Sequence, residues 1–211
     1  NKGKEEKEQL TDVWNLNKKQ LKLTVERYAD VFRDMGFAVE LSHQLRPSGG
    51  KKSGIGFAPF AQHKGKMMPL EKSFELVKIL SKKNKIYFFG GGPKETETLK
   101  SWENQIQNTE SLAGKLSLSE ELKKIAELEL MVSMDSANMH LSSVVGTRCI
   151  SIWGSTHPFA GFLGFGQNIQ DAVQVSDLTC RPCSVFGDKE CYRGDWACLE
   201  ELSVMKIVEK I

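Results

Sequence analysis

The 211-residue sequence predicts an α/β fold with a Rossmann-like parallel sheet, on three observations. Short apolar runs at 55–58, 86–89, 130–134 and 149–153 have the length and composition of buried strands. Segments of helical periodicity separate them, as in 70–80, where Phe74, Val77 and Leu80 recur at three-residue steps. The runs break into turn chemistry, most plainly in the Gly-Gly-Gly-Pro stretch at 90–93 and the Gly-Ser-Thr-His-Pro stretch at 154–158. Strand and helix in alternation, with strands apolar on both sides, requires a sheet covered on both faces.

Taken in order, residues 1–20 alternate Lys and Glu with few apolar anchors and predict a solvated, poorly ordered lead-in. The sequence also starts without Met, which suggests that something precedes it. Leu21, Val25, Tyr28, Phe32 and Met35 mark an amphipathic helix that needs a surface to cover, and Gly36 supplies its stop. The stretch 46–53, with one Pro, two Gly and exposed charges, predicts a linker, so that 21–53 is a connecting helix plus linker and the main domain runs from 54 to 211. Inside that domain a polar helix starts at Lys94, another covers 118–128, a third covers 138–145 and stops at Gly146, and a last amphipathic helix covers 202–211.

Bulk properties exclude several classes. Charged residues make up 27%, hydrophobic residues 40%, and the formal net charge is +2, so no nucleic-acid partner is implied. No apolar run approaches the ~20 residues of a membrane span, and the first residues do not form a signal-peptide core, which points to a cytoplasmic protein.

In open α/β sheets ligands collect beyond the carboxyl ends of the strands, which makes the loops there the candidate site. After the first strand, Lys64 and Lys66 stand within reach of a phosphate just before a helix that starts at Pro69; a solvated basic loop is the plain alternative. After the second, the glycines around Gly91 permit close backbone approach and Glu95 is placed as a ribose-hydroxyl acceptor, although a simple turn accounts for the same residues. The run Asp-Ser-Ala-Asn-Met-His at 135–140 carries most information. Asp135 and Ser136 are good N-caps, Ala137 leaves the helix start uncrowded for a pyrophosphate, and His140 faces the same crevice. The loop at 154–158 is polar, and touches sugar or phosphate or is a structural turn.

These loops, in this order, resemble glycosyltransferase family nine, the ADP-heptose:lipopolysaccharide heptosyltransferases, over roughly residues 25–211. The segments that carry the resemblance are Val-Glu-Arg-Tyr at 25–28, Lys-Met-Met-Pro at 66–69, Gly-Gly-Pro at 91–93 with Glu95, Gly-Lys-Leu-Ser-Leu at 114–118, the run at 135–140, and Trp-Gly-Ser-Thr-His-Pro at 153–158. The resemblance implies the C-terminal, donor-binding half of a two-domain GT-B enzyme. Lys66 would then contact phosphate and stabilise the leaving group, Glu95 would take the ribose, and Leu116 would border the adenine. Asp135, Ser136, Ala137 and His140 would surround the diphosphate and sugar, with Asn138 beside them. The family's hydroxyl residues ahead of the lysine are replaced here by Ala61 and Gln62, of which Gln62 stays a candidate substrate contact.

Inverting transfer needs a base for the acceptor hydroxyl and positive charge or N–H donors for the departing diphosphate. The second need is met by Lys66 and the helix start at Asp135. No Asp-x-Asp occurs, so metal-independent chemistry without a cofactor is expected. The family's base, an Asp, belongs to the missing N-terminal half, which would also bind the lipid A or inner-core acceptor. The chain alone is therefore expected to bind donor and to transfer poorly or not at all, with possible peripheral association with the inner membrane. Cys180, Cys183, Cys191 and Cys198 follow the spacing C-x2-C-x7-C-x6-C, which suits a small zinc site, free thiols, or their oxidation products; Cys149 lies in a strand and is core. Rival functions are a GT-B transferase for another nucleotide sugar, a non-catalytic nucleotide-binding module, and a zinc-binding interaction domain.

Overall fold

Strand β1 (Ile55–Ala58), β4 (Leu130–Met134) and β5 (Cys149–Ile152) are buried at every position, as strands covered on both faces must be. The computed structural model describes residues 3–47 and 49–211; Asn1, Lys2 and Ser48, which fall in the expected lead-in and linker, lie outside the described residues. With β2 (Ile86–Phe88), β3 (Thr109–Ser111) and β6 (Ala172–Val173), these strands form a six-stranded sheet in the order β3-β2-β1-β4-β5-β6. All five pairings are parallel, with Phe57 opposite Phe88 on one side and Val132 on the other. The chain runs outward from β1 in one direction and from β4 in the other, so the strand order reverses between them. That gap is the topological switch point.

Alternation along the strands feeds two cores. Ile55, Phe57, Val132, Met134, Ile150 and Ile152 pack with Leu76, Val77 and Leu80 of α3 (Leu70–Leu80) and with Leu99 and Trp102 of α4 (Pro93–Gln105). On the opposite face Ala58, Met131, Cys149 and Trp153 meet Ile125 of α5 (Leu118–Ala126) and Met139 of α6 (Ala137–Val144). Each such large side chain contributes about 1.5–3 kcal/mol through burial. Helix α5 is fixed by a capping box: the Ser117 hydroxyl accepts from the Glu120 N–H, and the Glu120 carboxylate accepts from the Ser117 N–H. Two short helices close the chain, α7 (Ala197–Glu200) and α8 (Val204–Val208), the latter inside the expected 202–211 helix.

Two helices precede the domain. The lead-in contains helix α1 (Lys4–Thr11), whose Leu10 is buried, whose Glu6 pairs with Arg27 at 2.6 Å and whose Lys7 lies over the Phe162 ring at 4.8 Å; these contacts hold it where the charge pattern predicts no order. The amphipathic helix is present as α2 (Thr24–Asp34), yet its expected apolar face is not covered: Tyr28, Phe32 and Met35 are half or more exposed, and only Ala29 is buried. Among the described residues no helix is long and apolar enough to cross a membrane.

Candidate functional site

An open crevice of about 940 Å³ lies beyond the carboxyl ends of β1, β2 and β4, at the switch point. Of the residues singled out from sequence, Gln62, Lys66, Gly91, Glu95, Asp135, Ser136, Ala137, Asn138 and His140 line it. Leu116 does not. It sits half-buried in the turn ahead of α5, away from the lining. Lys64 is also absent from the lining, its ammonium lying over the Trp196 ring at 5.1 Å.

Lys66 ends a tight 3-10 turn after β1 (Lys64–Lys66). Its Nζ stands 3.0 Å from Asp135 Oδ2, and only 17% of the lysine side chain and 4% of the aspartate side chain are exposed. The close fit depends on glycines. A Cβ on Gly65 would meet Ser155 Oγ at 2.3 Å, and one on Gly187 would meet Lys66 Cγ at 2.6 Å, so bare backbone makes room for the lysine stem.

Asp135 is not the N-cap that its position suggests. The N-cap residue of α6 is Ser136, in extended backbone and without a side-chain cap, its hydroxyl sharing a hydrogen bond with Ser133 Oγ at 3.2 Å. Asp135 is instead held by Lys66 and by the Thr156 hydroxyl, which donates to Oδ2 at 2.9 Å. With no side chain capping it, the first turn of α6 offers N–H groups to the crevice. Asn138 Nδ2 donates to Glu121 Oε1 at 3.1 Å and so ties α6 to α5. His140 lines the crevice, where desolvation lowers its pKa from the ordinary imidazole value, Asp135 pulls it partly back, and Lys66 adds to the lowering. Glu95 folds back on its own loop, accepting from the Gly91 N–H at 2.8 Å, so one carboxylate oxygen serves the turn.

Several lining residues are not singled out by the sequence. Phe60, Phe89, Phe162 and Phe186 supply apolar wall, and His63, Glu121 and Asp188 supply polar rim. Phe60 and His63 sit in the same loop as Gln62 and Lys66; Phe162, Phe186 and Asp188 come from segments that only the folded chain brings near. The 154–158 loop supports the site without lining it, through Thr156 and through Ser155 Oγ, which donates to the Gly65 carbonyl at 2.9 Å.

Cys180, Cys183, Cys191 and Cys198 surround one small cavity beside Arg181 and Trp196, all as free thiols. Among the described residues no three His, Cys, Asp or Glu side chains stand in an arrangement that could hold a metal, so of the alternatives for these cysteines the zinc site finds no support there. Burial pushes the Cys198 thiol up to about 12 and raises Cys183 in the same direction. Cys149 is 1% exposed in β5, as expected of core.

Residues 3–192 match the model of Glycosyltransferase family 9 (heptosyltransferase). The chain is 27% identical over 191 residues to Lipooligosaccharide heptosyltransferase 2 of Campylobacter jejuni subsp. jejuni serotype O:6, covering 85% of this chain and 57% of that protein. Among solved structures it is similar to E. coli heptosyltransferase WaaC with ADP, with a TM-score of 0.63 at 20% identity, over 92% of this chain and 58% of that one. It is also similar to E. coli ADP-heptose lps heptosyltransferase II, with a TM-score of 0.57 at 18% identity, over 90% of this chain and 51% of that one. The chain thus spans little more than half the length of these relatives. With the sheet order and the switch-point crevice in agreement, the chain belongs to glycosyltransferase family 9, the heptosyltransferases.

Proposed function

We propose that this chain is the C-terminal, nucleotide-sugar-binding half of an inverting, metal-independent GT-B glycosyltransferase of lipopolysaccharide core synthesis, with residues 54–211 as the binding domain and an ADP-heptose-like donor. One observation carries the reading: the Lys66 ammonium, 3.0 Å from Asp135, stands beside the uncapped start of α6 at the switch point. A lysine and a helix N-terminus converging on one crevice suit a diphosphate, whose charge grows as the glycosidic bond breaks. His140 serves as a hydrogen-bonding partner for phosphate or sugar, and Glu95 and Gln62 border the nucleoside side of the crevice. The absence of Asp-x-Asp from the sequence supports charge neutralisation by these groups rather than by a bound metal. The base that deprotonates the acceptor hydroxyl, and the lipid A or inner-core acceptor itself, belong to a second half, so this chain alone binds donor without efficient transfer. Action on that acceptor would place the enzyme on the cytoplasmic side of the inner membrane.

Titration calorimetry with ADP, UDP and GDP tests the reading. Selective ADP binding is expected, weakened roughly tenfold or more in Lys66→Ala and in Asp135→Ala, the scale of one lost charge-assisted hydrogen bond. Preference for UDP or GDP would keep the transferase and change the donor. A folded chain that binds none of the three would sink the donor-half reading.

A further inference from the structure

No residue of the loop after β5 lines the crevice, yet the loop braces Lys66 from two sides, through the residue before it and through its partner Asp135. At the root, the Ser155 N–H and hydroxyl both donate to the Gly65 carbonyl, at 2.8 and 2.9 Å, and so fix the backbone one residue before the lysine. At the tip, Thr156 Oγ1 donates to Asp135 Oδ2 at 2.9 Å, the same oxygen that Lys66 Nζ meets at 3.0 Å. Thr156 is 1% exposed, and a buried hydroxyl aimed at a carboxylate is a strong, directional restraint. Both contacts fall on Oδ2.

The loop is itself clamped. Arg181, 6% exposed, donates to the carbonyls of Gly154 at 2.8 Å, Thr156 at 2.7 Å and Trp153 at 3.3 Å, and to Gln174 Oε1 and the Val175 carbonyl. All of these partners are neutral oxygens. A buried cation without an anion is costly to fold around, and what it achieves here is to lock the strand end that presents Ser155 and Thr156.

We propose that Thr156 is a positioning residue: on a loop clamped by Arg181, it fixes the Asp135 carboxylate and thereby holds the Lys66 ammonium at the place where the nucleotide diphosphate is received. The proposal rests on reading the crevice as the diphosphate site. Its own content is that the hydroxyl of Thr156, outside the crevice, sets affinity through Asp135.

Thr156→Val keeps the shape and removes the hydroxyl; Thr156→Ser keeps the hydroxyl. In ADP calorimetry on chains shown by thermal unfolding to be folded, Thr156→Val is expected to bind roughly tenfold more weakly and Thr156→Ser close to wild type. Thr156→Val combined with Asp135→Asn is expected to bind no more weakly than Asp135→Asn alone, because the hydroxyl acts through the carboxylate. A second readout needs no nucleotide: the rate at which an acylating reagent labels Lys66, followed by peptide mass spectrometry, should rise in Thr156→Val while other lysines keep theirs. Wild-type ADP affinity in Thr156→Val, additive losses in the double variant, or Thr156→Ser falling as far as Thr156→Val would each overturn the proposal. If wild type binds no ADP, the diphosphate reading fails, and unchanged Lys66 labelling in Thr156→Val would show separately that the hydroxyl does not hold the lysine.

Discussion

The loop that presents Thr156 also carries a built-in acid sensitivity at His157. Its Nδ1 accepts from the Phe159 N–H at 3.0 Å, a bond that only the neutral ring makes, and desolvation with the nearby Arg181 charge lowers its pKa to about 4. The sign follows from linkage. Because the folded state holds the proton less tightly than the unfolded chain, the contribution of His157 is fully present above the ordinary imidazole pKa near 6.5 and is lost as pH falls through 6.5 toward 4. At ~1.4 kcal/mol per tenfold in proton affinity the full loss is about 3 kcal/mol, of which roughly 2 kcal/mol falls between about pH 7 and about pH 5. His157→Asn offers a side-chain oxygen to the same N–H and does not titrate. Urea unfolding of both chains at the two pH values should show wild type losing roughly 2 kcal/mol more than the variant on acidification. Equal losses would refute the reasoning, since every other titrating group is common to both chains.

Two further outcomes follow from the same electrostatics. A bound diphosphate brings negative charge to His140, so the NMR titration midpoint of its ring should rise on saturation with ADP; an unmoved midpoint would place the phosphates elsewhere. Among the thiols, burial raises the pKa of Cys149 and Cys198, so a thiolate-specific alkylating reagent should label the half-exposed Cys180 and Cys191 first and reach Cys149 only on unfolding; early labelling of Cys149 would mean that β5 opens.

What the sequence discloses is what burial enforces locally. β1, β4 and β5 are legible because a strand covered on both faces has to be apolar at nearly every position. β3 is not, because Thr-Glu-Ser at the sheet edge needs only backbone pairing, and β6 is two residues long. The candidate site is legible as a set of loops, because parallel topology sends every strand end to one rim. The partners within it are not legible. Asp135 carries the identity and position of a cap, and only the fold brings Thr156, 21 residues further on, to its carboxylate and leaves capping aside. The exposed face of α2 shows the limit of periodicity, which predicts that a helix has an apolar side without saying what covers it.

Gly65 and Gly91 look alike in sequence, each a glycine in a loop beyond a strand, and the structure separates them. A Cβ on Gly65 would stand 2.3 Å from Ser155 Oγ, 2.7 Å from the Gly187 carbonyl and 3.2 Å from the Trp196 ring, where three segments converge without slack. A Cβ on Gly91 would meet nothing within 4 Å. Gly65→Ala should therefore cost about 1–3 kcal/mol, the range of overpacking, and weaken ADP binding by pushing Ser155 off the backbone that carries Lys66. Gly91→Ala should stay within about 0.5 kcal/mol of wild type in stability, and any effect it has should appear only when nucleotide approaches that backbone. Thermal unfolding and calorimetry on the two variants measure the contrast. If Gly65→Ala melts and binds like wild type, the grip on Lys66 is looser than its distances imply, and the lysine does not depend on that loop for its place in the crevice.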